Sequence, residues 1–207
     1  LFALDKNKLK TIQQKLGFNI PNVKNQTIWL HGVSLGEIKI LSPLAKKLSN
    51  QGQNILITST TNTGLEELNK NFSNSDIKIL PFPYDLEFAH KKIIINFKVN
   101  KIILFESEFW PNLLNAAKNL NVVSLNSTIS DTSFKRFKML KVFSKTLFSK
   151  IDLFLAQSKI TIDRLEFFEV KNIKHIGNIK INPENYSVDE NRRNHYQKIL
   201  GTEKLNV

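Results

Sequence analysis

The sequence predicts an α/β protein built on a doubly wound parallel sheet. Three observations point there. Apolar runs of strand length recur through the 207 residues. Segments of helical periodicity separate them, and the runs are apolar at successive positions, as strands covered on both faces require. Parallel neighbours need crossover connections, which the intervening helices supply. In such sheets ligands bind beyond the carboxyl ends of the strands, so function is sought in the turn after each run.

The first run, TIWLH at 27–31, passes through HGVSLGE into Ile40, Leu41, Leu44, Ala45 and Leu48 at helical spacing. A strand turns into a helix there. Gly32 and Gly36 allow tight turns, Ser34 can cap, and Glu37 lies in the first helical turn, where free N–H groups and the helix dipole favour a carboxylate. Such a carboxylate can accept a proton from a ligand, although helix-end electrostatics alone would also account for it. The second run, NILIT at 54–58, ends in TSTTNTG. Its hydroxyls, Thr60 and Thr61 among them, suit a sugar or phosphate and equally suit plain capping of the helix at 65–72. The Lys and Gly spacing of a P-loop is missing.

The third run, DIKIL at 76–80, leads into PFPYD and a helical segment at 86–97. KIILF at 101–105 follows and ends in ESEFWPN, with Glu106 and Glu108 two positions apart. Two acids at the end of so apolar a strand are costly to bury together, so at least one is expected to face a cleft or hold a partner. The alternative is an ordinary acidic helix start, with Pro111 in the first turn of a helix at 109–120.

NVVSL at 121–125 then opens NSTISDTS, which brings Asn126 and Ser130 to the same edge. The segment at 133–149 reads as one amphipathic helix, with Met139, Leu140, Phe143 and Leu147 on one side and Lys138, Lys141 and Lys145 near the other. A basic amphipathic helix suits an anionic membrane surface, and a core-facing helix with a solvated basic face is the other reading. DLFLA at 152–156, a helix at 161–168 and IKHIG at 173–177 complete the alternation. Beyond it the chain turns polar, and KLNV looks like the start of another strand. Residues 1–182 are therefore expected to form one domain, with 183–207 a linker and the opening of a second.

Thirty Lys and Arg against 18 Asp and Glu give a net charge of +12, which favours an anionic partner. Neither an RNA-binding motif nor a helix-turn-helix pattern stands out, so nucleic acid is not expected. The absence of cysteine excludes disulfides, thiolate zinc sites and Cys nucleophiles. His31, His90, His175 and His195 lack metal-ligand spacing, so no metal is expected. No apolar run approaches the roughly 18 residues a membrane span requires.

Taken in order, HGVSLGE, TSTTNTG, LPFPYD, ESEFWPNLL, NSTISDTSFKRF, LFLAQS and HIGNIKIN resemble the N-terminal half of the bacterial 3-deoxy-D-manno-octulosonic acid (Kdo) transferases of lipopolysaccharide biosynthesis. The resemblance runs from Thr27 to Asn182. It implies a GT-B glycosyltransferase of two Rossmann-like domains, of which this chain is the acceptor-binding half. The implied donor substrate is CMP-Kdo, held mostly by the other half, and the implied acceptor is a phosphorylated lipid A precursor. No cofactor and no metal are implied. Peripheral contact with anionic lipid at the cytoplasmic face of the inner membrane is.

By the same resemblance Glu37 is the base that deprotonates the acceptor hydroxyl, and Glu106 and Glu108, the family's second acidic pair, are expected to be catalytic with it. The acceptor is expected at Ser34, Gly36, Thr60, Thr61, Asn126 and Ser130. Thr128 stands where the family has Arg, and Asn182 where it has Asp. Without a donor domain the chain is expected to be inactive. The competing expectation is a non-catalytic domain that retains only anionic-lipid or protein recognition.

Overall fold

The computed structural model describes residues 6–181. Expectations that concern Asn182, the polar stretch after it and KLNV lie outside the described residues.

Seven strands form a single sheet in the order β3-β2-β1-β4-β5-β6-β7. They are β1 Thr27–Gly32, β2 Asn54–Ser59, β3 Lys78–Pro81, β4 Val99–Phe105, β5 Asn121–Ser127, β6 Leu153–Ala156 and β7 Ile173–His175. Every pair of neighbours is parallel. All carboxyl ends therefore meet at one edge, as expected from the alternation. The chain winds outward from β1 through β2 to β3, returns to the other side of β1 with β4, and continues to β7. The direction reverses between β1 and β4, where Leu30 pairs with Ile103 and His31 with Leu104. That reversal is the topological switch point at which such sheets open a cleft.

The strands alternate sides. Trp29, Leu56, Ile102 and Leu104 enter one apolar cluster, while Ile28, Leu30, Ile55 and Ile57 enter the other. Helices α2 (Leu35–Asn50) and α3 (Asn62–Phe72) cover the second cluster through Ile38, Leu41, Leu68 and Phe72. The first is covered by α4 (Glu87–Asn96), α5 (Pro111–Ala116), α7 (Lys141–Phe148) and α8 (Lys159–Phe167), through Ile93, Leu113, Phe148 and Leu165. This two-sided burial explains why the runs are continuously apolar. At roughly 1.5–3 kcal/mol for each large apolar side chain buried, the layers hold the strand ends in fixed register.

Three departures from the sequence reading stand out. A further helix, α1 (Lys6–Lys15), precedes β1. The segment expected as a helix over 109–120 is helical only in α5, because Trp110 is in extended conformation and Ala117 already leaves the helix.

The single helix expected over 133–149 is two, α6 (Asp131–Met139) and α7, broken where Leu140 adopts φ −110 and ψ 43. The break lets Phe137 pack against the core beside Leu147 and Phe148. Ser144 Oγ donates to the Phe137 carbonyl across it at 2.9 Å. In consequence Leu147 is buried, whereas Met139, Leu140 and Phe143 are 84%, 62% and 51% exposed. These four residues do not share a core-facing side.

Candidate active site at the switch point

The turn after β1 is organised by a capping arrangement. Ser34 is the N-cap of α2, its Oγ accepting from the Glu37 N–H at 3.4 Å and donating to Glu37 Oε1 at 2.8 Å. Glu37 Oε2 accepts from the Val33 N–H at 2.7 Å. A serine N-cap with Glu three residues on is the pattern by which a helix start satisfies its free donors. Glu37 is left 8% exposed, with a donor on each oxygen. Gly32 is closely packed: a Cβ there would lie 2.9 Å from Leu41 Cδ1 and 3.2 Å from Glu37 Cβ, so the Leu41 side chain would have to shift. Gly36 is not: its nearest neighbour for a Cβ would be Ser34 Oγ at 3.9 Å. The surface beside Glu37 is thus kept low without any demand from packing.

The β2 turn is tied to the β1 turn. Ser59 Oγ and Thr61 Oγ1 donate to the Val33 carbonyl at 2.9 and 3.0 Å, and the Thr61 N–H joins them at 3.2 Å. Thr61 also caps α3 by accepting from the Gly64 N–H at 3.2 Å. Thr60 Oγ1 is buried without a hydrogen-bond partner.

Across the switch point, Glu106 follows β4 and Asn126 is the last but one residue of β5, with φ of 62 and 56. Left-handed backbone at a residue other than glycine is uncommon and is tolerated where surroundings enforce it. The surroundings here are each other and the segment after Gly177. Glu106 Oε1 pairs with Lys180 Nζ at 2.6 Å and accepts from Asn126 Nδ2 at 3.4 Å. Asn126 Nδ2 also donates to Asn178 Oδ1 at 3.4 Å, and Asn126 Oδ1 accepts from the Ile179 N–H at 3.2 Å. Together they fasten residues 178–180 to the sheet edge.

Glu108 behaves differently. Its Oε2 accepts from Trp110 Nε1 at 2.6 Å and lies 3.7 Å from Nε2 of His31. His31, the last but one residue of β1, is fully buried and stacks on Phe82 with ring centroids 3.7 Å apart. Phe82 and Asp85 come from the turn after β3. Asp85 receives the N–H groups of Asn112 and Leu113 at 3.1 and 3.0 Å and that of His90 Nε2 at 2.9 Å, fixing the start of α5. Burial lowers the His90 pKa from 6.5 to about 4, against the opposing pull of Asp85. His90 is therefore neutral here and donates from Nε2.

Residues 10–182 match the family described as 3-deoxy-D-manno-octulosonic-acid transferase (kdotransferase). The chain belongs to the Kdo transferase family. It is 30% identical over 199 residues to the 3-deoxy-D-manno-octulosonic acid transferase of Chlamydophila psittaci, covering 92% of this chain and 46% of the relative. The transferase of the same name from Rickettsia typhi is 28% identical over 169 residues, 80% of this chain and 36% of its own. A bifunctional glycosyltransferase/methyltransferase of Fusobacterium nucleatum is 35% identical over 205 residues, 94% of this chain and 32% of its own. The chain thus spans 32–46% of the length of these relatives.

In this Kdo transferase fold, Ser34, Gly36, Glu37, Thr60 and Thr61 lie on the joined β1 and β2 turns, and Glu106 and Glu108 lie directly across the switch point. Asn126 is fully buried, with its amide turned to the 178–179 segment. Ser130 is exposed and caps α6, accepting from the Ser133 N–H at 3.2 Å. The main-chain carbonyl of Thr128 accepts from Ser107 Oγ at 2.5 Å. No group of three or more His, Asp and Glu among the described residues is arranged to hold a metal ion. Sequence reasoning gave no role to Phe82, Asp85 or Lys180, placed Trp110 only at a helix start, and gave His31 no role beyond opening HGVSLGE and standing among the four histidines. The signal available for Phe82 and Asp85 was their place after a strand, in PFPYD.

Proposed function

We propose that this chain forms the acceptor side of a glycosyltransferase that moves Kdo from CMP-Kdo to a phosphorylated lipid A precursor in lipopolysaccharide biosynthesis, at the cytoplasmic face of the inner membrane. The observation that carries this reading is the placement of Glu37 and Glu108 in the turns after two neighbouring parallel strands, β1 and β4, at the switch point of a Kdo transferase sheet.

Glu37 is the base. The Val33 N–H and Ser34 hydroxyl hold its carboxylate in one orientation, and each oxygen retains a lone pair beyond the one its donor uses. The acceptor hydroxyl gives its proton to that carboxylate as its oxygen bonds to the Kdo anomeric carbon. The bond from that carbon to the CMP phosphate breaks, and its electron pair leaves with CMP. The low wall at Gly36 lets a sugar approach. Binding of CMP-Kdo belongs to a further, donor-binding domain, and no step calls on a metal or cofactor.

The corner between α6 and α7 is the membrane contact. Met139, Leu140, Val142 and Phe143 are exposed there, amid Lys135, Arg136, Lys138 and Lys141. Apolar side chains flanked by cations suit an anionic bilayer surface. No helix among the described residues is long and apolar enough to cross a membrane.

A second reading, a non-catalytic lipid-binding domain, draws on the engagement of both Glu37 oxygens in the cap. The full-length protein given CMP-Kdo and a lipid A precursor distinguishes the two. Release of CMP that depends on the acceptor is expected, and its absence alongside intact vesicle binding would favour the second reading. Sedimentation with acidic vesicles is expected to weaken as salt rises, because screening acts over about 10 Å at 0.1 M.

A further inference from the structure

We propose that His31 is a positioning residue for Glu108. A buried hydrogen-bond chain from Trp29 through Thr58 sets the His31 ring with a hydrogen on Nε2, and that hydrogen, with the Trp110 indole N–H, orients Glu108 so that Oε1 is the oxygen left for a ligand hydroxyl.

The direction of the chain follows from its first member. An indole N–H can only donate, and Trp29 Nε1 donates to Thr58 Oγ1 at 2.9 Å. The Thr58 hydroxyl must then place its own hydrogen elsewhere. Within reach are His31 Nδ1 at 3.0 Å and the Leu30 carbonyl at 3.4 Å. The shorter contact makes Nδ1 an acceptor, which leaves the ring hydrogen on Nε2.

The far side of the ring agrees. Nε2 is buried with no hydrogen-bond partner and faces Glu108 Oε2 at 3.7 Å. A lone pair there would set two acceptors against each other, whereas an N–H meets a carboxylate. Stacking on Phe82, with the two rings 16° from coplanar, holds the imidazole in the plane that aims Nε2 at Glu108.

The other end closes the same way. Trp110 Nε1 is again a pure donor, and it fixes Glu108 Oε2 at 2.6 Å. Both protein donors converge on one oxygen. At 3.7 Å the His31 contact is longer than a hydrogen bond, and contacts of this kind shorten when a ligand completes the site. The identity of the ligand, a sugar hydroxyl of the acceptor, rests on the glycosyl-transfer reading. The ring tautomer does not.

Long-range 1H–15N correlation on the labelled chain reads the tautomer directly, with His31 assigned by its disappearance in His31→Gln. The expected spectrum has a protonated Nε2 and a bare Nδ1. The reverse pattern would overturn the proposal whatever the protein catalyses. In Thr58→Val the tautomer is expected to shift toward Nδ1–H, which can turn to the residue-58 main-chain carbonyl at 3.3 Å in the parent; an unchanged tautomer would contradict the chain.

In the full-length protein, His31→Leu should raise the acceptor KM about tenfold, the size of one hydrogen bond to a charged group, with the KM for CMP-Kdo unmoved. His31→Gln, whose amide N–H can stand where Nε2–H stood, should recover most of that loss. Equal losses in both variants, or a loss confined to kcat, would contradict the positioning role. A parent without transfer activity would refute the glycosyl-transfer reading, and the tautomer measurement would still decide the role of His31.

Discussion

The turns after β1 and β4 lie side by side at the switch point, and each carries acids that look equivalent in the sequence. In the β1 turn, Glu37 is nearly buried and both its oxygens serve the start of α2. In the β4 turn the work is divided. Glu106 bonds Lys180 and Asn126 and fastens the chain beyond β7, while Glu108 concentrates its protein contacts on Oε2. A carboxylate at a strand end is thus no guide to its task until its partners are known. A cap orients the Glu37 carboxylate, an ion pair ties Glu106 to Lys180, and Glu108 meets Trp110 and His31 through one oxygen.

The comparison is most severely broken through Asp85, which braces the β4 side from the β3 turn. Asp85→Ala would strip acceptors from the Asn112 and Leu113 N–H groups and from His90. A loss of about 2–4 kcal/mol in urea unfolding is expected, with the β1 turn less disturbed than α5 in hydrogen exchange.

Acid reaches the same region more gently. His90 binds its proton near pH 4 in the folded chain but at its ordinary 6.5 when unfolded. Between those values the unfolded state holds more protons, so stability falls as pH falls through this window and is fully present above it. Unfolding midpoints measured from pH 7 to 5, above most carboxylate titrations, should decline in the parent and stay flatter in His90→Gln.

The smallest effect on stability is expected at the fastener. The Glu106–Lys180 pair is partly exposed, with side chains 22% and 34% accessible, and such pairs contribute about 0–1 kcal/mol. Glu106→Gln should therefore leave global stability nearly unchanged while speeding amide exchange at Ile179 and Lys180. Unaltered exchange there would remove Glu106 from its fastening role.

Much of the fold was legible because two-sided burial writes itself as continuous apolar runs. TIWLH, NILIT, KIILF and the later runs all fall on strands. Strand order was not legible, since nothing local in KIILF says that it returns beside TIWLH. Helix α1 escaped because KNKLKTIQQK is strongly polar, and its only large apolar residues, Leu9 and Ile12, are exposed. The break at Leu140 escaped for the opposite reason: apolar residues continue at helical spacing through it.

At the site, the Ser34 and Glu37 cap is a local pattern and could be read directly. The grip of Trp110 and His31 on Glu108, and of Lys180 on Glu106, joins separate turns and follows only from the topology.

The most direct test of the account is Kdo transfer by full-length Glu37→Gln, measured beside Glu106→Gln and the parent, with thermal unfolding of each. Glutamine keeps the size of Glu37 and one acceptor oxygen for the cap but cannot take the proton. Transfer should fall about 10²–10⁴-fold while the cap costs only about 0.5–2 kcal/mol of stability. Glu106→Gln should retain far more activity. Near-parental transfer by Glu37→Gln would contradict the account and leave Glu37 with its cap alone.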